Sequence, residues 1–149
     1  MTKPPPHPEE RHRVEVRDSR DDIERVEKII LEEVGKRGYP EASRFALRLA
    51  LEEALINAFR HGHKDLPKTP VEVEWSVDEH AARITVIDRG PGFKPDAVPD
   101  PTLDENLDVP SGRGIMLMRA YMSSIEYNDS GNAVTMVYER SKAESRRKR

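Results

Sequence analysis

The stretch "EALINAFRHGH", Glu53 to His63, completes an apolar run that begins at Phe45, "FALRLALEEALINAF". The run reads as a helix entering a core. Leu47, Leu51 and Leu55 form one line, with Ala50, Ala54 and Ala58 beside it. Glu53, Asn57 and His61 also recur at steps of four, which stacks them along one helical face. A core-seeking helix gains no packing from a polar line beside its apolar one. The plain reading makes Glu53 a salt-bridge partner and leaves Asn57 and His61 half exposed. The other reading gives the line a task, and the surrounding chain is needed to choose.

Working outward, Pro40 opens this helix where its missing N–H costs little, and the helix runs to about Gly62. An earlier helix covers "RDDIERVEKIILEEVGKRG", with Ile23, Val26, Ile30 and Val34 at helical spacing. Asp18 or Ser19 caps it and Gly38 stops it. Before it, "RVEVRDS" alternates like a short strand. Downstream, "KTPVEVEWSVDEHAARITVIDRG" reads as a hairpin. Val71, Val73, Trp75 and Val77 alternate with polar residues, then Ile84, Val86 and Asp88 alternate on the return. From Pro91 to Ser111 the pattern vanishes into acids and prolines 91, 95, 99, 101 and 110. A structureless loop of ~20 residues inside a domain is uncommon and is often a lid. "GRGIMLMRAYMS" reads as a glycine-led helix, and "SIEYND", "SGN" and "AVTMVYER" close with a second hairpin. The order β-α-α-β-β-lid-α-β-β predicts an α+β two-layer sandwich: a mostly antiparallel mixed sheet with about three helices on one face.

Composition sets the outer limits. The chain has 149 residues, enough for one domain with a core, and is 36% apolar and 36% charged. A formal net charge of -3 gives no nucleic-acid signature. The basic end, "RSKAESRRKR", lacks apolar periodicity and reads as a solvated tail or a contact for an acidic partner. With no cysteine, disulfides, thiolate catalysis and thiolate metal sites are excluded. No apolar run approaches the ~18 residues of a membrane span. "MTKPPPHPEERH" has no apolar signal region and favours extended chain. The expectation is a cytoplasmic protein: a proline-rich tail over 1–10, a folded domain over 11–140 with a lid at about 91–111, and a basic tail over 141–149.

Three polar constellations stand out, each ambiguous alone. Besides the helix line, there is "DRGPGF" at a strand end, Asp88 to Phe93, and "SGRGI" where the lid meets a helix, Ser111 to Ile115. Glycines at a helix start let N–H groups approach an anion, and the helix dipole favours negative charge there. Gly112, Arg113 and Gly114 therefore have the form of a phosphate cradle, or of a plain turn. Asp88 continues the alternation of Ile84 and Val86 and should point to the buried side, where a carboxylate needs a partner. An adenine amino group would supply a donor, with Gly90 and Gly92 leaving room for the base; a simple turn is the alternative. His61 and His63 lack the further ligands of a metal site.

Taken together, E-x-x-x-N-x-x-x-H on a helix, D-x-G-x-G after a strand, a long loop and G-x-G opening a helix resemble the GHKL ATP-binding superfamily, with its Bergerat fold. The resemblance covers roughly residues 10 to 140. "EEALINAFRHGH", "VIDRGPGF" and "GRGIMLMRAYM" are most similar to the small stand-alone anti-sigma-factor serine/threonine kinases. That resemblance implies a role for each position. Asn57 would ligate Mg²⁺ bridging the phosphates of ATP, and Glu53 would be the general base. His61 would be structural. Asp88 would recognise the adenine amino group and Thr135 would support the adenine pocket. Gly112 and Gly114 would approach the phosphates.

The resemblance also implies partners: a sigma factor, and an anti-sigma-factor antagonist phosphorylated on serine or threonine. It implies a homodimer joined through the sheet edge or the first strand, and neither nucleic acid nor membrane as a direct partner. A sensor histidine kinase carries its acceptor His on a preceding helical pair, whereas His7 and His12 lie in or beside a proline-rich tail. Gyrase-like and mismatch-repair ATPases append transducer domains, for which no residues remain. Two other readings stay open: a nucleotide-gated binding protein without kinase activity, and a detached histidine-kinase ATPase domain. "YMSSIEY" departs from relatives that often carry an acid after the methionine, which weakens the partner inference and leaves ATP binding untouched.

Overall fold

The structure is a computed structural model, and the residues described are 11–63, 66, 68–91 and 121–140. Five strands and two helices are defined within them. Strand β1 is His12–Val16, followed by α1, Arg20–Lys36, and α2, Glu41–Asn57. A π-helical segment, Ala58–Gly62, prolongs α2. Then come β2, Val71–Val77; β3, Ala81–Ile87; β4, Ser124–Tyr127; and β5, Ala133–Glu139.

Each boundary has a local cause. Ser19 caps α1 by accepting the Asp22 N–H at 3.2 Å, and Asp21 and Asp22 lie in its first turn, where the dipole favours acids. Past its end, Gly38 takes φ 83°, a left-handed conformation that suits a residue without Cβ. Pro40 precedes α2 in extended geometry, as its fixed φ allows.

The sheet has the order β1-β2-β3-β5-β4, and every pairing is antiparallel. The expected mixed sheet is therefore fully antiparallel among the described residues. Residues directly opposite share a face, so register sorts the side chains. Val14, Val16, Val71, Val73, Trp75, Ile84, Val86, Val134 and Met136 lie on the helix side. Arg13, Glu72, Glu74, Arg83, Thr85 and Thr135 lie on the other. Val26, Ile30 and Val34 of α1 and Leu47, Leu51 and Leu55 of α2 are buried against the first set. Ala46, Ala50 and Ala54 keep α2 close to the strands. Each buried Leu or Ile contributes ~1.5–3 kcal/mol of transfer free energy.

Several polar groups that enter this core are matched. The Trp75 indole N–H donates to Glu33 at 2.9 Å, joining β2 to α1. Tyr39 donates to the Asp78 carbonyl at 2.8 Å, and the Arg140 guanidinium lies 4.6 Å from the Tyr39 ring centroid. Buried Ser43 donates to the Tyr138 hydroxyl at 2.7 Å, tying α2 to β5. Residues 92–111 of the expected lid, residues 112–120 of the expected third helix and both tails fall outside the described residues.

Candidate functional site

The site is built where the end of α2 meets the end of β3. Helix α2 carries Glu53 and Asn57 four residues apart in regular α geometry, so both lie on one line of its surface. Beyond Asn57 the hydrogen bonding widens: the His63 N–H donates to the Ala58 carbonyl, five residues back, at 2.8 Å. Such single π turns recur at functional sites. The extra residue in the turn makes His61 lag the Glu53–Asn57 line. The expected row of three is thus a row of two.

Glu53 is half-buried, and its side chain makes no hydrogen bond or ion pair among the described residues. Asn57 is half-buried too, and its Nδ2 is buried without a partner. A buried amide without a partner is costly and marks a place where a ligand or water completes the structure.

The π segment ends at Gly62, which meets the carboxylate of Asp88. A Cβ on Gly62 would lie 2.5 Å from Asp88 Cγ and 2.6 Å from its Oδ2, so no larger residue fits without movement. Asp88 follows Ile84 and Val86 onto the helix side, as its alternation anticipates. Its N–H donates to the Asn132 carbonyl at 2.8 Å, which extends the sheet pairing past Ile87. Its Oδ1 accepts the Gly90 N–H at 2.7 Å. No described residue bonds to Oδ2, which leaves one carboxylate oxygen for an incoming donor. Burial pushes the Asp88 carboxyl above its ordinary value, and the Gly90 N–H bond acts in the opposite direction.

Gly90 is small for a reason the sequence did not display. A Cβ there would sit 1.9 Å from the Gly62 carbonyl oxygen. The space it leaves admits the backbone of the π segment, where the sequence reading had it admit a base. Helix end and strand end thus touch through two glycines.

His63 and Asn132 complete the assembly, and sequence reasoning assigned neither. His63 is 2% exposed. Its Nε2 accepts the Arg89 N–H at 2.8 Å, and its Nδ1 lies 2.9 Å from the Thr69 carbonyl. A carbonyl only accepts and an amide N–H only donates, so the neutral Nδ1–H tautomer satisfies both bonds. The Phe59 ring packs edge-on at 6.3 Å between centroids. Asn132 Nδ2 donates to the Gly90 carbonyl at 3.4 Å. The only sequence cue to His63 was its place directly after the helix-ending Gly62.

The remaining expected site residues are not brought to this point. Thr135 pairs with Thr85 across β3 and β5, Oγ1 to Oγ1 at 3.0 Å, on the sheet face opposite Asp88. Register sets that side, because Val134 and Met136 on either side of Thr135 face the helices. Gly92, Gly112, Arg113 and Gly114 lie outside the described residues. No group of three or more His, Cys, Asp or Glu able to hold a metal exists among the described residues. A cation beside Asn57 would take most of its ligands from elsewhere, as magnesium does when it sits on phosphates.

Residues 10–138 match the histidine kinase-like ATPase domain. The chain belongs to that family. The domain also matches a solved structure described as the RsbU and RsbW domains of Rv1364c from Mycobacterium tuberculosis, with a TM-score of 0.58 and 15% identity. The match covers 86% of this chain and 31% of that chain, and at that identity it bears on the fold. No curated protein matches the chain. No helix among the described residues is long and apolar enough to cross a membrane.

Proposed function

We propose that the domain binds ATP with Mg²⁺ and acts as a serine/threonine protein kinase in an anti-sigma-factor role. Its acceptor would be an antagonist protein whose phosphorylation controls sigma-factor availability. One observation carries the nucleotide reading: a half-buried carboxylate, Asp88, has an oxygen that no described residue bonds, at the point where it touches the end of the helix bearing Asn57 and Glu53. The family and the three sequence motifs support the same reading.

The residues divide the work by their chemistry. Asp88 Oδ2 accepts a hydrogen bond from the adenine 6-amino group, while its Oδ1 stays with the Gly90 N–H. Asn57 is the one metal ligand on α2. An amide carbonyl is a hard oxygen donor suited to magnesium, and the unpartnered Nδ2 fits a side chain awaiting a ligand. When bound, Mg²⁺ neutralises charge on the phosphate oxygens. Glu53, one turn away and without a side-chain partner among the described residues, takes the proton of the acceptor hydroxyl. That hydroxyl oxygen bonds the γ-phosphorus, the bond to the β–γ bridging oxygen breaks, and ADP leaves. The expected lid at about 91–111, with Gly92 at its start, and Gly112, Arg113 and Gly114 belong to the same proposal as the phosphate side of the site. Thr135 does not, given the face it occupies.

The test is transfer from radiolabelled ATP to a candidate antagonist. Acid-stable phosphate on wild-type partner is expected. Glu53→Gln should keep ATP binding and lose ~10²–10⁴-fold in transfer, and Asn57→Ala should weaken Mg²⁺-dependent binding, both with wild-type circular dichroism. Full transfer by folded Glu53→Gln would remove it as the base. An acid-labile product would move the domain to the histidine-kinase reading, and ATP-dependent sigma-factor binding without any product to a binding module.

A further inference from the structure

His63 is the most deeply buried polar side chain next to the Asp88 turn, and neither ring nitrogen is spare. One bond runs back to Thr69, on the approach to β2, and the other runs forward to the backbone of Arg89, between Asp88 and Gly90. The Arg89 N–H has no sheet partner, because β3 ends at Ile87. Without His63 that part-buried donor would lose its partner or would turn away, and the turn would move with it. The same turn is held from the other side by Asn132 and from beneath by Gly62. Asp88 is therefore aimed by its neighbours' backbone more than by its own single bond to Gly90.

We infer that His63 is a positioning residue for base selection: its imidazole fixes the Asp88–Gly90 turn so that Oδ2 meets the 6-amino group of adenine. This rests on the adenine reading proposed above. It predicts a specificity effect in addition to any structural one. Inosine triphosphate has the ribose and phosphates of ATP but carries a carbonyl in place of the 6-amino donor. Misplacing Asp88 must cost ATP what it cannot cost inosine triphosphate.

The experiment is calorimetric titration of ATP and inosine triphosphate, with Mg²⁺, into full-chain wild type, His63→Phe, His63→Asn and His63→Gln. Phenylalanine keeps the ring and loses both bonds. Asparagine is too short to reach the Arg89 N–H, so it carries the test if the phenylalanine variant fails to fold. Glutamine places an amide oxygen where Nε2 stood. Wild type should prefer ATP by about tenfold or more, the scale of one hydrogen bond to a charged group. The phenylalanine and asparagine variants should lose most of that preference, with inosine triphosphate affinity changed by less than about twofold, and glutamine should restore it. Equal losses for both nucleotides, or no loss for ATP, would overturn the inference. Wild type that binds the two alike would overturn the adenine reading itself. The latch is then judged without nucleotide, by exchange of the Arg89 amide hydrogen. Exchange about tenfold faster in His63→Phe and slow again in His63→Gln upholds it, and equal rates in all overturn it.

Discussion

Gly62→Ala should change the sign of its effect on stability according to what stands at position 88. In wild type the new Cβ would lie 2.5 Å from Asp88 Cγ, about 1 Å inside ordinary carbon contact. The obstruction is a side chain, so it relieves itself by turning away. That turn breaks the Gly90 N–H bond to Oδ1, a charge-assisted bond worth ~1.5–3 kcal/mol. Against this, alanine at a negative-φ position restricts the unfolded chain and gains ~0.4–1 kcal/mol. Gly62 is not among the described glycines with positive φ, so the gain applies. The net cost in wild type is about 1–2 kcal/mol. In an Asp88→Ala background the obstruction is gone, and Gly62→Ala should stabilise by up to ~1 kcal/mol. The coupling read from urea unfolding of the four proteins should therefore be ~2 kcal/mol. Gly90→Ala is the control. Its Cβ would meet the Gly62 carbonyl at 1.9 Å, which is backbone, so it should cost more than ~3 kcal/mol in both backgrounds. A Gly62→Ala effect that is the same with and without Asp88 would refute the proposed contact, and with it the meeting of helix end and strand end.

Three further outcomes follow from groups in the same core. Because burial raises the Asp88 carboxyl, its ionisation disfavours the fold. Stability from this group is therefore highest below the ordinary carboxylate range and falls as pH rises through the raised value. Asp88→Asn keeps an acceptor for Gly90, so thermal unfolding should show that fall flattened and the midpoint raised at neutral pH, while ATP affinity drops. Glu27, 5% exposed, is raised first by burial and then by Glu52, with Arg48 at 3.6 Å acting the other way. Its Oε1 has no partner, so Glu27→Gln should stabilise at neutral pH by on the order of 1 kcal/mol and by less in acid, measured by urea unfolding at both. Leu51→Ala, fully inside the contact of α2 with the sheet, should cost ~2–5 kcal/mol in the same assay without changing ATP selectivity.

How much of this was legible in the chain depends on which bonds carry it. The strands and helices were legible because burial repeats with a fixed period: Val71, Val73, Trp75 and Val77 at two, Val26, Ile30 and Val34 at about four. Asp88 was legible for the same reason, since a polar residue that keeps an apolar phase must face the core. Thr135 keeps a phase as well, but the opposite one, and its face follows from Val134 and Met136 beside it. The resemblance placed it in the adenine pocket against that phase. Strand order could not be read, because β5 lies between β3 and β4 through pairing across a long intervening segment. Gly62, His63 and Asn132 act on the Asp88–Gly90 turn, distant from each of them in sequence, and such contacts leave no period at all.

The π turn is the clearest case of structure that residue spacing hides. An inserted residue rotates everything after it by roughly 100° about the helix axis. Leu55 and Ala58 still alternate as an α-helix would demand, so the pattern up to Ala58 gives no warning. What the widened turn changes is the direction in which Gly62 and His63 leave the helix. Gly62 reaches the Asp88 carboxylate and His63 reaches both Thr69 and Arg89 from that altered exit. Two glycines and a histidine with both nitrogens engaged restrict how else that segment can pack. An α-helical continuation would present a different residue at the contact with Gly90, and any residue but glycine would meet the Asp88 turn with a side chain. The helix therefore keeps α geometry through Glu53 and Asn57, where the spacing of side chains matters, and gives it up just beyond, where the backbone itself makes the contact.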